Sequence, residues 1–218
     1  MNEMTYMTLN GFKRWLTSCL LFFMLVACRN QPDVPAKETP GFYDSIALVK
    51  PLLKSGDVIF RNGTDEVSRA ARSMNRIDTS FSHCGLILVE NDSLMVYHAI
   101  GGQFNPPQTL RRDPVDSFIT PAEVDRFAIY RYSLSKAQSD TLASIIRKYY
   151  RSGLKFDLFF NFESDETMYC SEFVYKCLNS SLSDSLASLI LAREWPWGIS
   201  PDDLFLNPRS TLVKRVDF

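Results

Sequence analysis

Ser82-His-Cys-Gly-Leu-Ile-Leu-Val-Glu-Asn-Asp-Ser-Leu-Met-Val-Tyr-His98 reads as an antiparallel hairpin. Cys84 to Val89 and Leu94 to Ile100 are apolar, β-rich runs, and the polar Glu90-Asn91-Asp92-Ser93 between them supplies the turn. With that turn centred between Glu90 and Asn91, His83 and His98 lie opposite one another on adjacent strands, on one face, about 5 Å apart at Cβ. Successive strand residues alternate, so Cys84 points to the other face. The chain has 2 histidines, and this pairing brings both to one place.

Downstream, Tyr169-Cys-Ser-Glu-Phe-Val-Tyr-Lys-Cys-Leu178 places Phe173, Val174, Cys177 and Leu178 on one helical face, with Cys170 in the first turn. A thiol there meets unpaired backbone N–H groups and the positive end of the helix dipole, both of which favour thiolate. It needs a base to carry its proton to a leaving group, and only the two histidines offer one. The expected assignment is Cys170 as nucleophile, His83 as general base and then acid, and His98 orienting His83. The Cys170 backbone N–H is the first oxyanion donor, because it is fixed beside the sulfur.

The rest of the chain frames these elements. Lys54-Ser-Gly-Asp57 is a turn ahead of a short strand, Val58 to Phe60, and Thr64 caps a helix with apolar positions Val67, Ala70, Ala71 and Met74. Phe127 to Tyr132 is a second β-rich segment, followed by a helix capped by Ser133 or Ser135 with Leu142, Ile145, Ile146 and Tyr149 inward. Hairpins and helices mixed without strict alternation indicate α+β. With 45% hydrophobic residues among 218 there is enough apolar matter for a real core. Twenty-four Lys+Arg against 25 Asp+Glu leave no basic field for nucleic acid. No Cys-x-x-Cys occurs, so ligands for a structural zinc are too few and no metal or cofactor is expected.

At the N-terminus, Lys13-Arg14 precedes an apolar run, Trp15 to Ala27, too short for a span of about 20 residues. It reads as a secretory signal. The exit Leu25-Val26-Ala27-Cys28 resembles the bacterial lipobox, which implies removal of residues 1–27 and lipid on Cys28. Residues 28–45, with prolines at 32, 35 and 40, form a tether, and 46–218 the catalytic domain. The expected location is the cell envelope, periplasmic or outer surface, with the membrane reached through the lipid.

Six blocks in order resemble the YiiX/YebB-like branch of the NlpC-type papain-like cysteine hydrolases. They are Lys54-Ser-Gly-Asp-Val-Ile-Phe60, Ser82-His-Cys-Gly-Leu-Ile87, Val96-Tyr-His-Ala99, Phe156-Asp157, Tyr169-Cys-Ser-Glu-Phe-Val-Tyr175 and Ser200-Pro-Asp-Asp-Leu204. The resemblance covers about residues 50–206 and implies a circularly permuted papain-like fold, with the histidine strand before the cysteine helix. The family's third position is often Glu; His98 stands there in this chain. NlpC-type relatives imply cell-wall peptides as substrate, cleaved at an amide through an S-acyl intermediate. The lecithin retinol acyltransferases share the permuted order and imply lipid deacylation or acyl transfer instead, and a non-catalytic binding lipoprotein is a third reading. Asp157 is a turn former or a contact for a substrate amine, Glu172 completes the helix electrostatics or touches substrate, Tyr169 is a candidate substrate contact, and Trp195-Pro-Trp197-Gly198 walls a pocket or forms a packed corner.

Overall fold

The computed structural model describes residues 40–183, 186 and 198–218. The chain divides into two units, Met1–Pro40 and Gly41–Phe218, and the second holds the sheet and the site. Cys28, Trp195 and Trp197 lie outside the described residues. Among those described, no helix is long and apolar enough to cross a membrane.

Among the described residues, six antiparallel strands form the sheet: β1 (Val58–Gly63), β2 (His83–Glu90), β3 (Ser93–His98), β4 (Arg111–Pro114), β5 (Val124–Tyr132) and β8 (Ser210–Asp217). Their order is β4-β3-β2-β1-β5-β8, while β6 (Lys155–Phe156) and β7 (Thr167–Met168) make a small parallel pair. The central strands β1 and β2 are apolar on both faces because both faces are covered. Val58, Phe60, Cys84, Leu86 and Leu88 pack against α4 (Lys136–Arg151) and α5 (Cys170–Ser181), meeting Leu142, Ile146, Phe173, Val174 and Leu178. The alternate residues Ile59, Ile87, Val96, Phe127 and Ile129 pack against α1 (Pro40–Val49) and the short α3 (Val115–Phe118). Each fully buried Leu, Ile or Phe contributes about 1.5–3 kcal/mol of transfer free energy, so the two-sided core carries the fold.

Helix α4 starts as expected at Ser135, whose hydroxyl accepts from the Gln138 N–H while the Gln138 side chain returns to the Ser135 N–H. The Lys54–Asp57 turn is more than a link. Gly56 adopts φ +94°, and the buried Asp57 carboxylate accepts from the Lys54 N–H and takes Arg131 bidentately at 2.6 and 2.7 Å.

The structure differs from the expectations in three places. First, β2 and β3 pair Leu86 with Tyr97 and Glu90 with Ser93, so the turn is the two-residue Asn91-Asp92, both at positive φ (48° and 60°). The turn centre moves by one residue, and the partner across from His98 becomes position 85, with His83 diagonal to it. Second, α2 (Glu66–Arg72) is capped by Asp65 rather than Thr64; Val67 on it is 71% exposed, and Met74, 43% exposed, lies beyond its end. Asp65 competes better because its carboxylate accepts from the Ser68 N–H at the first turn. Third, α1 takes in residues 41–45, assigned above to the tether, because Ile46 and Val49 beyond them are buried against the sheet and propagate the helix backward.

Candidate active site

Cys170 is the first residue of α5. The preceding β7 fixes the entry, and Tyr169 caps the helix with its N–H held by Glu172 Oε2 at 3.2 Å. The Tyr169 hydroxyl accepts from the Ile199 N–H at 2.8 Å, and the Ser171 hydroxyl donates to the Ile199 carbonyl at 2.6 Å. The nucleophile-bearing turn is thus clamped to the segment that opens α6 (Pro201–Phe205). That segment also positions the histidine strand: the buried Asp202 accepts from the N–H groups of Arg76 and Ile77, at 2.9 and 2.7 Å, just ahead of β2.

The diagonal register keeps the histidines on one face. His83 Nε2 lies 2.9 Å from His98 Nδ1, and His98 Nε2 lies 2.9 Å from Asp113 Oδ2 on β4. Arg111 Nη2 donates to the other Asp113 oxygen at 2.8 Å. Phe118 lies against both imidazoles, with ring centroids 5.6 Å from His83 and 4.9 Å from His98, and the Arg61 guanidinium covers the Phe118 ring. Gly85 makes this possible. A Cβ there would stand 2.6 Å from Val96 Cγ1, 2.9 Å from the Tyr97 carbonyl and 3.0 Å from His98 Cβ.

Cys84 does point away from the histidines, but that is the side from which α5 arrives. Hydrogen bonding with Cys84, and then the charge and hydrogen bond of His83, draw the Cys170 thiol well below its usual pKa despite burial. Burial pushes Cys84 and Cys177 well up, so among the three described thiols, all free, only Cys170 is poised as thiolate. Burial drives His98 down to about 3, against the Asp113 hydrogen bond that opposes it, so His98 is neutral at physiological pH. Burial raises Asp113, but hydrogen bonds from His98 and Arg111 outweigh it and hold its carboxyl at about 2.

Cys170, His83 and His98 therefore converge, as the spacing and helix position imply. The other named residues are placed differently. Asp157 is buried and its carboxylate accepts from the backbone N–H of Phe159, at 2.8 Å, and of Asn161, the turn-forming arrangement. Glu172 has no exposed surface; burial raises it to about 7 against the pull of Lys176, whose ammonium lies 2.8 Å from Oε1. Tyr169 is buried, with its hydroxyl spent on Ile199. Asp113, Arg111, Phe118 and Gly85 are the members that sequence reading missed. A sequence signal for Asp113 existed in Arg111-Arg-Asp113, a charged triplet following the histidine hairpin, but only strand pairing shows that it faces His98.

The model of the permuted papain-like amidase enzyme family, YaeF/YiiX, matches residues 52–194. The chain belongs to that family. Its members are described as permuted papain-like amidases. The uncharacterized protein YiiX of Escherichia coli (strain K12) is 28% identical over 131 residues, which span 59% of this chain and 59% of that protein's length. A crystal structure of YiiX from Escherichia coli O157:H7, described as a metalloprotein, shares the fold at a TM-score of 0.59 and 23% identity, covering 76% of this chain and 98% of that one. Among the described residues here, no group of three or more His, Cys, Asp or Glu side chains is arranged to hold a metal ion. Both ring nitrogens of His98 are taken by protein partners, so this site does not fit a bound metal.

Proposed function

We propose that this permuted papain-like amidase cleaves amide bonds in cell-wall peptides as a lipid-anchored protein of the cell envelope. The observation that carries the chemistry is the thiol of Cys170 at a helix N-terminus beside His83, itself hydrogen-bonded to His98. The thiolate attacks the scissile carbonyl, forming the S–C bond while the Cys170 N–H receives the oxyanion. The C–N bond then breaks as protonated His83 gives its proton to the leaving amine. Water, deprotonated by His83, attacks the thioester; the S–C bond breaks, and carboxylate and free thiol remain. What supports the substrate class is the likeness of the six blocks to NlpC-type enzymes. What supports the location is the segment Lys13 to Cys28.

A second reading, lipid deacylation, has one observation in its favour. The loop after β6 exposes Leu158 at 61% and Phe159 at 90%, and the ring of the next residue, Phe160, meets that of Tyr169 tilted by 45° at a centroid distance of 5.1 Å, one residue from the nucleophile. Mass spectrometry of the protein incubated with murein peptides and, separately, with phospholipid separates the two. A peptidyl adduct on Cys170 supports the first reading; a fatty-acyl adduct overturns it in favour of the second. Cys170→Ala and His83→Ala each abolish turnover, and His98→Ala, which removes only an orienting group, costs less.

A further inference from the structure

We infer that Asp113 is a positioning residue that sets the tautomers of both histidines, and thereby selects Nδ1 of His83 as the atom that takes the Cys170 proton. The inference rests on the Cys170–His83 reading above, and it follows from counting protons along one line of contacts. An ionised carboxylate only accepts, so at the 2.9 Å contact between Asp113 Oδ2 and His98 Nε2 the proton sits on Nε2. His98 is 2% exposed, under Phe118, with His83 on β2 and Arg61 on β1 facing it. Burial and the Arg61 guanidinium keep a second proton off, which leaves a lone pair on Nδ1.

His83 Nε2, 2.9 Å away, must then be the donor. A neutral imidazole carries one proton, so the lone pair of His83 is on Nδ1, the nitrogen left for Cys170. In the proton transfer the S–H bond breaks, an Nδ1–H bond forms, and His83 becomes imidazolium. Neither the His83–His98 nor the His98–Asp113 bond has to reverse, so the relay works without a ring flip. The charged groups surrounding it are Arg61 on β1, with Glu123 at 3.9 Å, and Arg111 on β4. Phe118 from α3 adds no charge.

Arg111 makes the inference sharp. Its Nη2 holds Asp113 Oδ1 at 2.8 Å. In Asp113→Asn the amide oxygen stays on Arg111, and the NH₂ group is turned toward His98 Nε2. His98 must then accept there and carry its proton on Nδ1; His83 must accept at Nε2 and carry its own proton on Nδ1, where the base is needed. Asp113→Ala imposes no such reversal. The near-isosteric Asn is therefore more damaging than Ala, the opposite order from a residue that only fills space and bonds.

The experiment uses the full chain labelled with ¹⁵N-histidine, without substrate. Long-range ¹H–¹⁵N correlations report each tautomer, and iodoacetamide labelling of Cys170 from pH 5 to 9, read by mass spectrometry, reports the thiolate. The expected result in the wild type is Nε2–H on His98 and a proton on Nε2 of His83, joined by one on Nδ1 wherever Cys170 is thiolate; in Asp113→Asn both histidines carry Nδ1–H and a bare Nε2. Alkylation at pH 6 should be about tenfold slower in Asp113→Asn, with Asp113→Ala between the two. A wild-type His98 protonated on Nδ1, or Asp113→Asn labelled as fast as wild type or faster than Asp113→Ala, overturns the inference. If the variants do not fold, the wild-type tautomers decide alone. Because no substrate enters, correct tautomers together with no acyl adduct on Cys170 would sink the amidase reading and leave this one standing.

Discussion

At the scale of single residues, the site is governed by which groups are denied water. His98 is held neutral because its ring is buried, and this makes it a fixed hydrogen-bond link instead of a second base. The same burial makes it a pH-dependent element of stability. Its folded pKa, about 3, lies below the unfolded value of about 6.5, so between these the unfolded chain binds more protons and stability falls as pH falls. The slope from this one group approaches about 1.4 kcal/mol per pH unit. Urea unfolding of wild type and His98→Gln between pH 7 and 4 tests it. The destabilisation caused by the substitution should shrink as pH drops from 6.5 toward 4. Glu172, raised to about 7 by burial, contributes with the opposite sign, but it is present in both proteins and cancels in the difference. A constant difference between the two proteins across that range would refute the claim.

At the scale of elements, the β2–β3 hairpin and α5 are the parts that must be registered against each other. The hairpin register is set at two positions: the two-residue turn Asn91-Asp92, and Gly85 opposite His98. A side chain at 85 meets the Tyr97 carbonyl and Val96 within 3 Å, and a backbone oxygen cannot give way as the end of a flexible side chain does. Gly85→Ala should therefore cost about 1–3 kcal/mol of stability and displace His98 from His83, lowering Cys170 alkylation at pH 6 together with stability. Asp92→Gly, which relieves a left-handed conformation at the turn, should gain up to about 1 kcal/mol and leave Cys170 reactivity unchanged. Denaturant midpoints with thiol labelling check both variants; a Gly85→Ala protein as stable and reactive as wild type would show that the strands have room to spare.

At the scale of the whole molecule, the proposed anchor separates from the catalytic unit. Cys28→Ala should leave an unprocessed chain that takes up no radiolabelled palmitate, while residues 41–218 fold and alkylate at Cys170 as before; label on that variant would defeat the anchor. Much of this organisation was legible in the chain. Apolar β-rich runs identified the hairpin, and helical apolar spacings the helix capped by Ser133 or Ser135 and the cysteine helix, because local propensity and burial there point the same way. The choice of Cys170 and the two histidines as candidates followed from residue chemistry, since the chain has only 2 histidines to move a proton near neutral pH. The turn was misplaced by one residue because Glu90 and Ser93 are as polar as true turn residues; their pairing is decided by backbone twist at Asn91-Asp92. Val67 and Met74 carry a helical period yet stay exposed among the described residues, which periodicity alone does not reveal. Sequence thus determined which residues are candidates for the chemistry and which segments hold them, because those depend on local composition. Only the tertiary structure decided the diagonal histidine pairing, the arrival of Cys170 on the Cys84 side and the presence of Asp113 behind His98, because each depends on which strands become neighbours.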